Sequence, residues 1–163
     1  MDNIKERFRQ YQEAIETSNI VSKTDTNGTI TFVNDEFCKM SGFARDELIG
    51  ANHNIVRHPE VPKEVFARLW DTILAKKVHK GTIRNRTKDG RDVYLNTTII
   101  PILNLSGQIE EFLAIRYDVT DVINLNNELE KTKKELLNLN ENLENRVDRK
   151  STRLNSSHVK LSR

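Results

Sequence analysis

The chain has 163 residues, 31% charged and 36% hydrophobic, which allows one soluble domain and an appendage. Its single cysteine, Cys38, excludes a disulfide framework and a cysteine zinc cluster and suits a reducing cytoplasm; no apolar run approaches the roughly 20 residues of a membrane span, and Met1-Asp2-Asn3-Ile4-Lys5 offers no signal-peptide apolar region. The net charge of +2 belongs to the end of the chain: residues 148–163 hold five Lys or Arg against one Asp, which leaves 21 basic and 23 acidic residues elsewhere, a net −2, and no electrostatic case for nucleic-acid binding.

Residues 1–17 form the first unit. Ile4, Phe8, Tyr11 and Ile15, spaced 4, 3 and 4, predict one apolar stripe on an amphipathic helix. Packing on its own domain and pairing with a second chain are both open for that stripe. Ile20 to Asp25 and Thr29 to Val33 are short runs rich in β-branched residues, and Asn27-Gly28 between them signals a hairpin. Asn34 reads as an N-cap, with Asp35 and Glu36 in the first turn of a short helix that turns Phe37 and Met40 inward and ends at Gly42. Cys38 reads as a small core residue. Ala44 to Ile49 makes another turn of helix, closed by Gly50.

The stretch from Gly50 to Pro62 packs His53, Arg57, His58, Asn52 and Asn54 between apolar elements. Pro59 and Pro62 forbid one continuous helix through it. A polar, kinked segment in such a place can hang polar groups over the mouth of a core pocket. Val65, Phe66, Leu69, Trp70, Ile73 and Leu74 then give a helix with one broad apolar face, started at Pro62. Thr82 to Thr87, Val93 to Leu103 and Ile109 to Val119 read as three strands, turned at Lys88-Asp89-Gly90 and Asn104-Leu105-Ser106-Gly107. The order predicts an α+β domain whose antiparallel sheet carries helices on one face.

From Val122 the pattern changes. Val122, Leu125, Leu129, Thr132, Leu136, Leu139, Leu143 and Arg146 alternate steps of 3 and 4, and six of the eight are apolar. Residues 122–147 therefore predict a coiled-coil output helix and a parallel homodimer. Residues 148–163 lack apolar periodicity and resemble one reading frame of a sequencing-adapter oligonucleotide. They are expected to be read-through on an incomplete gene fragment, with the natural sequence stopping near Val147.

Taken as a set, Asn27-Gly28, Phe32-Val33-Asn34, Phe37, Gly42-Phe43, Glu47-Leu48-Ile49-Gly50, Gly81, Arg86-Thr87-Lys88-Asp89-Gly90 and Asp118-Val119-Thr120-Asp121 resemble a PAS sensor domain over residues 18–121. The resemblance implies a five-stranded antiparallel sheet, helices on one face and a pocket between them. It also implies a signal relay through Asp118, Thr120 and Asp121 into the output helix. The segment from Asn52 to Lys63 is similar to the flavin-binding PAS domains of aerotaxis receptors and related redox sensors, where an Arg-His-Pro-acid stretch contacts FAD. Glu60 stands where that group usually has Asp, and His79 where a Trp is common. Carried over residue by residue, the cofactor-binding candidates are Arg57, His58 and Glu60, with Asn34 and Asn85 on the sheet and Trp70 on the following helix. Arg57 suits a pyrophosphate or an electron-rich ring edge, and the Asn85 amide matches the paired donor and acceptor edge of a flavin.

Gly50-Ala51-Asn52 is followed by His53 rather than the reactive cysteine of light-sensing PAS domains, which argues against cysteinyl-flavin chemistry. Haem would take His53 or His58 as an axial ligand and has no other support. No catalytic residue or metal site is expected in this stretch of chain. The run from Leu125 to Val147 resembles the connector before the dimerisation helices of bacterial sensor histidine kinases. The expected function is therefore a cytoplasmic redox-sensing module feeding a C-terminal effector, a histidine kinase with its response regulator. A diguanylate cyclase, a chemoreceptor working with chemotaxis proteins, and a ligand-free interaction module are the alternatives.

Overall fold

The computed structural model describes residues 2–161, side chains from 3 to 160. The chain divides into two compact units, Met1–Thr120 and Asp121–Arg163. In the first, helix α1 (Asp2–Ser18) is followed by strands β1 (Ile20–Thr24) and β2 (Ile30–Val33), joined by the expected hairpin. Gly28 sits there at φ +83, a conformation that favours glycine, and the Asp25 carboxylate accepts from the backbone N–H groups of Asn27 and Thr29, each at 2.9 Å.

Asn34 caps α2 (Asp35–Ser41) as its residue type predicts, and it does more. Its Oδ1 accepts from the N–H groups of Val21 and Phe37 at 2.9 and 3.1 Å, while Nδ2 donates to the carbonyls of Glu16 and Asn19, each at 2.7 Å. One amide thus fastens the end of α1, the start of β1 and the first turn of α2. The α1 stripe itself faces solvent, from Ile4 at 75% exposure to Ile15 at 39%. Helix α3 (Arg45–Leu48) and a 3₁₀ turn (His53–Val56) lead to α4 (Lys63–Leu74), which begins directly after Pro62. Leu69 and Ile73 are buried and Leu74 is exposed, so the apolar face of α4 is narrower than the six-residue pattern implied.

Strands β3 (His79–Arg86), β4 (Asp92–Leu103) and β5 (Ile109–Asp118) complete a five-stranded antiparallel sheet of order β2-β1-β5-β4-β3. Strand β3 starts at His79, earlier than Thr82, because the long β4 supplies a ladder as far as His79↔Ile99. That pairing overrides the weak strand preference of His79-Lys80-Gly81. Two clusters make the core. Ile20, Ile30, Val33, Phe37, Leu48, Val56, Val93 and Leu95 form one, and Leu69, Ile73, Ile83 and Phe112 form the other, with Phe66 and Trp70 against it.

The second unit is the body of helix α5 (Thr120–Leu161). It starts before Val122 and runs past Val147 into the stretch that resembles adapter read-through. Arg, Lys and Leu are good helix formers and no Pro or Gly interrupts them, so local propensity sustains the helix irrespective of apolar periodicity. The seam leucines Leu125, Leu129, Leu136, Leu139 and Leu143 are exposed. No helix among the described residues is long and apolar enough to cross a membrane.

Candidate functional site

Strand β5 alternates, and Phe112, Ala114 and Arg116 are its buried residues. Pairing with β1 sets Ser22 opposite Ala114 and Ile20 opposite Arg116. A cavity of about 80 Å³ opens between this part of the sheet and α4. Leu69, Trp70, Ile73, Ile99 and Phe112 give it apolar walls, and Ser22, His53 and Arg116 give it a polar end. The Trp70 indole meets Phe112 edge to face at 5.7 Å between centroids. It also lies so close to the Asn27-Gly28 turn that a β-carbon on Gly28 would stand 3.1 Å from it.

Arg116 is only 3% exposed. Its Nη1 donates to Ser22 Oγ at 2.9 Å and its Nη2 to His53 Nε2 at 2.9 Å, with the face of Phe37 5.6 Å from the guanidinium carbon. Arginine only donates, so His53 Nε2 is the acceptor and the neutral ring carries its proton on Nδ1. Burial, aided by the Arg116 charge and then Arg57, lowers the His53 pKa to about 3 and holds the ring neutral. Burial also brings Arg116 down to about 10, which leaves it charged at neutral pH. Its hydrogen bonds are made, but no carboxylate lies within ion-pair distance of it among the described residues. The polar end therefore carries one uncompensated positive charge.

The expected residues gather elsewhere. Arg57 is exposed, its guanidinium 3.7 Å above the Phe66 ring, and it forms an isolated antiparallel bridge with Asn85. His58 is buried; its Nδ1 accepts from the Glu60 N–H at 3.1 Å and its Nε2 lies 3.0 Å from Asp92 Oδ1. Arg84 donates to Glu60 at 2.9 Å and, through Nε, to Asp92 at 3.1 Å, and this second contact does most to hold the Asp92 carboxyl below its usual range. Asn85 is 7% exposed, yet its side-chain amide makes no hydrogen bond among the described residues. Arg57, His58, Glu60 and Asn85 thus form a rim cluster with Arg84 and Asp92, and Trp70 alone of the expected residues lines the cavity. Asn34 does not line it, and all four hydrogen-bonding positions of its amide are spent on the backbone.

Arg116 and Ser22 were not singled out from sequence, and His53 only as a haem ligand. The signal that points to Arg116 is its place two residues beyond Ala114 and four beyond Phe112, on the inward side of a strand. At the end of that strand, Asp118 Oδ1 accepts from the Thr120 N–H at 2.8 Å and from the Thr120 hydroxyl. Thr120 Oγ1 accepts from the Tyr94 N–H, and the Val119 N–H donates to the Tyr94 carbonyl, both at 2.9 Å. Asp121 follows in the first turn of α5.

A family model described as the PAS fold matches residues 6–119. The chain belongs to the PAS family. Among curated relatives, the PAS region is 36% identical over 102 residues to an aerotaxis receptor of Escherichia coli, covering 63% of this chain and 20% of that protein. It is 29% identical over 100 residues to a nitrogen fixation regulatory protein of Klebsiella pneumoniae, covering 61% and 20%. The chain spans about a fifth of the length of these relatives. Among solved structures, the PAS domain of a Colwellia psychrerythraea protein superposes with a TM-score of 0.64 at 22% identity, over 70% of this chain and 98% of that one, a likeness of fold. The domain is a sensory signal-transduction module, and no group of His, Cys, Asp or Glu among the described residues is placed to hold a metal ion.

Proposed function

We propose that this PAS domain is a cytoplasmic sensor that holds FAD noncovalently and passes its redox state through the end of β5 into α5. The observation that carries this reading is the uncompensated charge of Arg116, set with Ser22 and His53 at one end of a cavity walled by Trp70 and Phe112. An electron-rich ring edge accepts from such donors while the ring spreads over apolar walls. The identity with an aerotaxis receptor and the Arg57-His58-Pro59-Glu60 stretch support it.

The donor set fits a flavin edge. The cavity of about 80 Å³ is far below the roughly 300 Å³ at which ligand pockets begin, so entry of the ring requires α4 to move away from the sheet. Bound FAD supplies two-electron chemistry. The part of the chain is to bind and orient: Arg57 for the phosphates, and the unengaged Asn85 amide for the donor and acceptor groups of the ring. His58, Glu60 and Asp92 keep that segment in place. Arg116 and Asp118 share β5, so a changed contact in the cavity biases the Asp118–Thr120 clasp at the head of α5. About 1–3 kcal/mol suffices for such coupling.

In the whole protein, α5 would pair in parallel with a second copy along its 3–4 seam and lead to a histidine kinase, with a diguanylate cyclase or a chemoreceptor domain as the other effectors. Leu129→Asp or Leu136→Asp is expected to shift the chain towards monomer in light scattering by placing a charge in the seam. The test of the cofactor is an absorbance spectrum of the protein titrated with FAD and passed through gel filtration. A retained flavin band is expected. Its absence overturns the reading in favour of a PAS domain that works by protein contact alone.

A further inference from the structure

We propose that the closed cavity of the flavin-free chain binds a small aliphatic monocarboxylate, acetate or propanoate in size, with its carboxylate on Arg116 and Ser22 and its alkyl end on the apolar wall. The proposal goes beyond the flavin reading and does not rest on it. An apolar cavity of about 150 Å³ holds one benzene molecule. The cavity between the sheet and α4, of about 80 Å³, has roughly half that room. That suits an anion of about four or five non-hydrogen atoms and needs no movement of α4.

Charge narrows the class. Arg116 is 3% exposed, and around its guanidinium the structure places a lone pair, a hydroxyl oxygen and an aromatic face, but no carboxylate among the described residues. The other lining residues add no negative charge, and His53 is held neutral. A buried cation of this kind is stabilised when one anion meets it. A dianion such as sulfate would bring more charge than the single cation balances, and would press its remaining oxygens on Leu69, Ile73, Ile99 and Phe112. A monoanion with an apolar end matches both halves of the lining.

The hydrogen bonds leave a donor for it. Ser22 Oγ accepts from Arg116 Nη1 at 2.9 Å, so the hydroxyl still has its own proton to place. Its acceptor in the protein is His53 Nε2, 3.4 Å away. That nitrogen offers one lone pair, which Arg116 Nη2 already meets at 2.9 Å. The Ser22 O–H is thus a weakly held donor beside a cation, and each terminal nitrogen of Arg116 carries a second N–H. Together they form the donor set that a carboxylate takes. Arg116 precedes Asp118 on β5, so occupancy acts on the strand end that leads into α5.

The experiment uses the full chain without added FAD and titrates it with sodium acetate, propanoate and hexanoate, with propanamide as the neutral isostere and sodium chloride at matched ionic strength. Trp70 is the only tryptophan of the chain and lines the cavity, so its fluorescence reads occupancy, and calorimetry gives the affinity. Acetate or propanoate is expected to bind saturably with a dissociation constant between about 10 μM and 10 mM, the range open to so few atoms. Hexanoate, propanamide and chloride are expected to bind at least about tenfold more weakly. Ser22→Ala is expected to weaken binding about tenfold, and Arg116→Met to abolish it while the chain still unfolds cooperatively. No saturable response to acetate or propanoate overturns the proposal, as does an equal response to propanamide or to chloride, or an Arg116→Met chain that binds propanoate unchanged. The ligand series on the unmutated chain decides the matter even where a variant fails to fold. Retained FAD without carboxylate binding overturns this proposal and leaves the flavin reading standing; carboxylate binding without retained FAD does the reverse.

Discussion

The interior trio and the rim cluster hold similar residue types in opposite electrical states. At the rim, the cation of Arg84 is shared between Glu60 and Asp92, and Asp92 also meets His58. Charge is balanced there and solvent is near, so the arrangement reads as a clasp between the 57–60 segment and the β3–β4 hairpin. In the interior, Arg116 is satisfied in hydrogen bonds and unsatisfied in charge. Such a group is costly to a fold and useful to a ligand. The difference separates residues that hold the site together from residues that wait for what it binds.

The largest expected contrast is in acid. His53 has a depressed pKa in the folded state, so the unfolded chain binds a proton that the native chain refuses from about pH 6.5 down to about 3. Stability therefore falls with pH across that window, by up to about 1.4 kcal/mol per unit. The rim carboxylate Asp92 also has a lowered pKa, but for an acid the sign differs in position: its contribution is complete above the unfolded carboxylate value of about 3.9 and is lost only as pH falls through the lower folded value. Urea unfolding across pH should show two phases, and His53→Asn should remove the first and keep the second. A single phase below about pH 4 in the unmutated chain breaks the distinction.

Next in size is replacement of the unbalanced charge. Arg116→Met is expected to leave ligand-free stability unchanged or raise it by about 1 to 4 kcal/mol, since a buried unpaired cation gives way to an apolar side chain of similar length. Loss of more than about 1 kcal/mol in urea unfolding shows that Arg116 is structural. The opposite sign is expected at the rim: His58→Ala should destabilise by about 1 to 3 kcal/mol, because a buried hydrogen-bonded side chain is lost beside Asp92. Thermal unfolding of both variants side by side sets the comparison. The smallest effect, about 1 to 2 kcal/mol, is expected for Gly28→Ala, whose methyl group would meet both a left-handed backbone and the Trp70 indole at 3.1 Å. Tryptophan fluorescence reports whether the indole yields.

The local elements were legible because their causes are local. Asn27-Gly28 marked its hairpin, Asn34 its cap, Pro62 the start of α4, and the 3–4 spacing from Val122 a long helix, each within a few residues of the feature it sets. The family resemblance added the fold and pointed to Arg57, His58, Glu60 and Asn85, which the structure places together. It did not show that Asn34 is occupied by the backbone, because an amide's partners belong to three different elements.

By itself, then, the sequence determined the order of helices and strands, the exclusion of disulfides and membrane-spanning helices among the described residues, and the position of one polar segment beside the core. Only the tertiary structure decided which polar groups share a cavity. Arg116 and Ser22 are 94 residues apart, and Arg116 and His53 are 63 apart. The pairing of β5 with β1 and the course of the chain after Asn52 bring them within hydrogen-bond distance. Periodicity records which side of an element is inward; it carries no record of which distant element lies opposite, because that depends on register and on packing across the whole core.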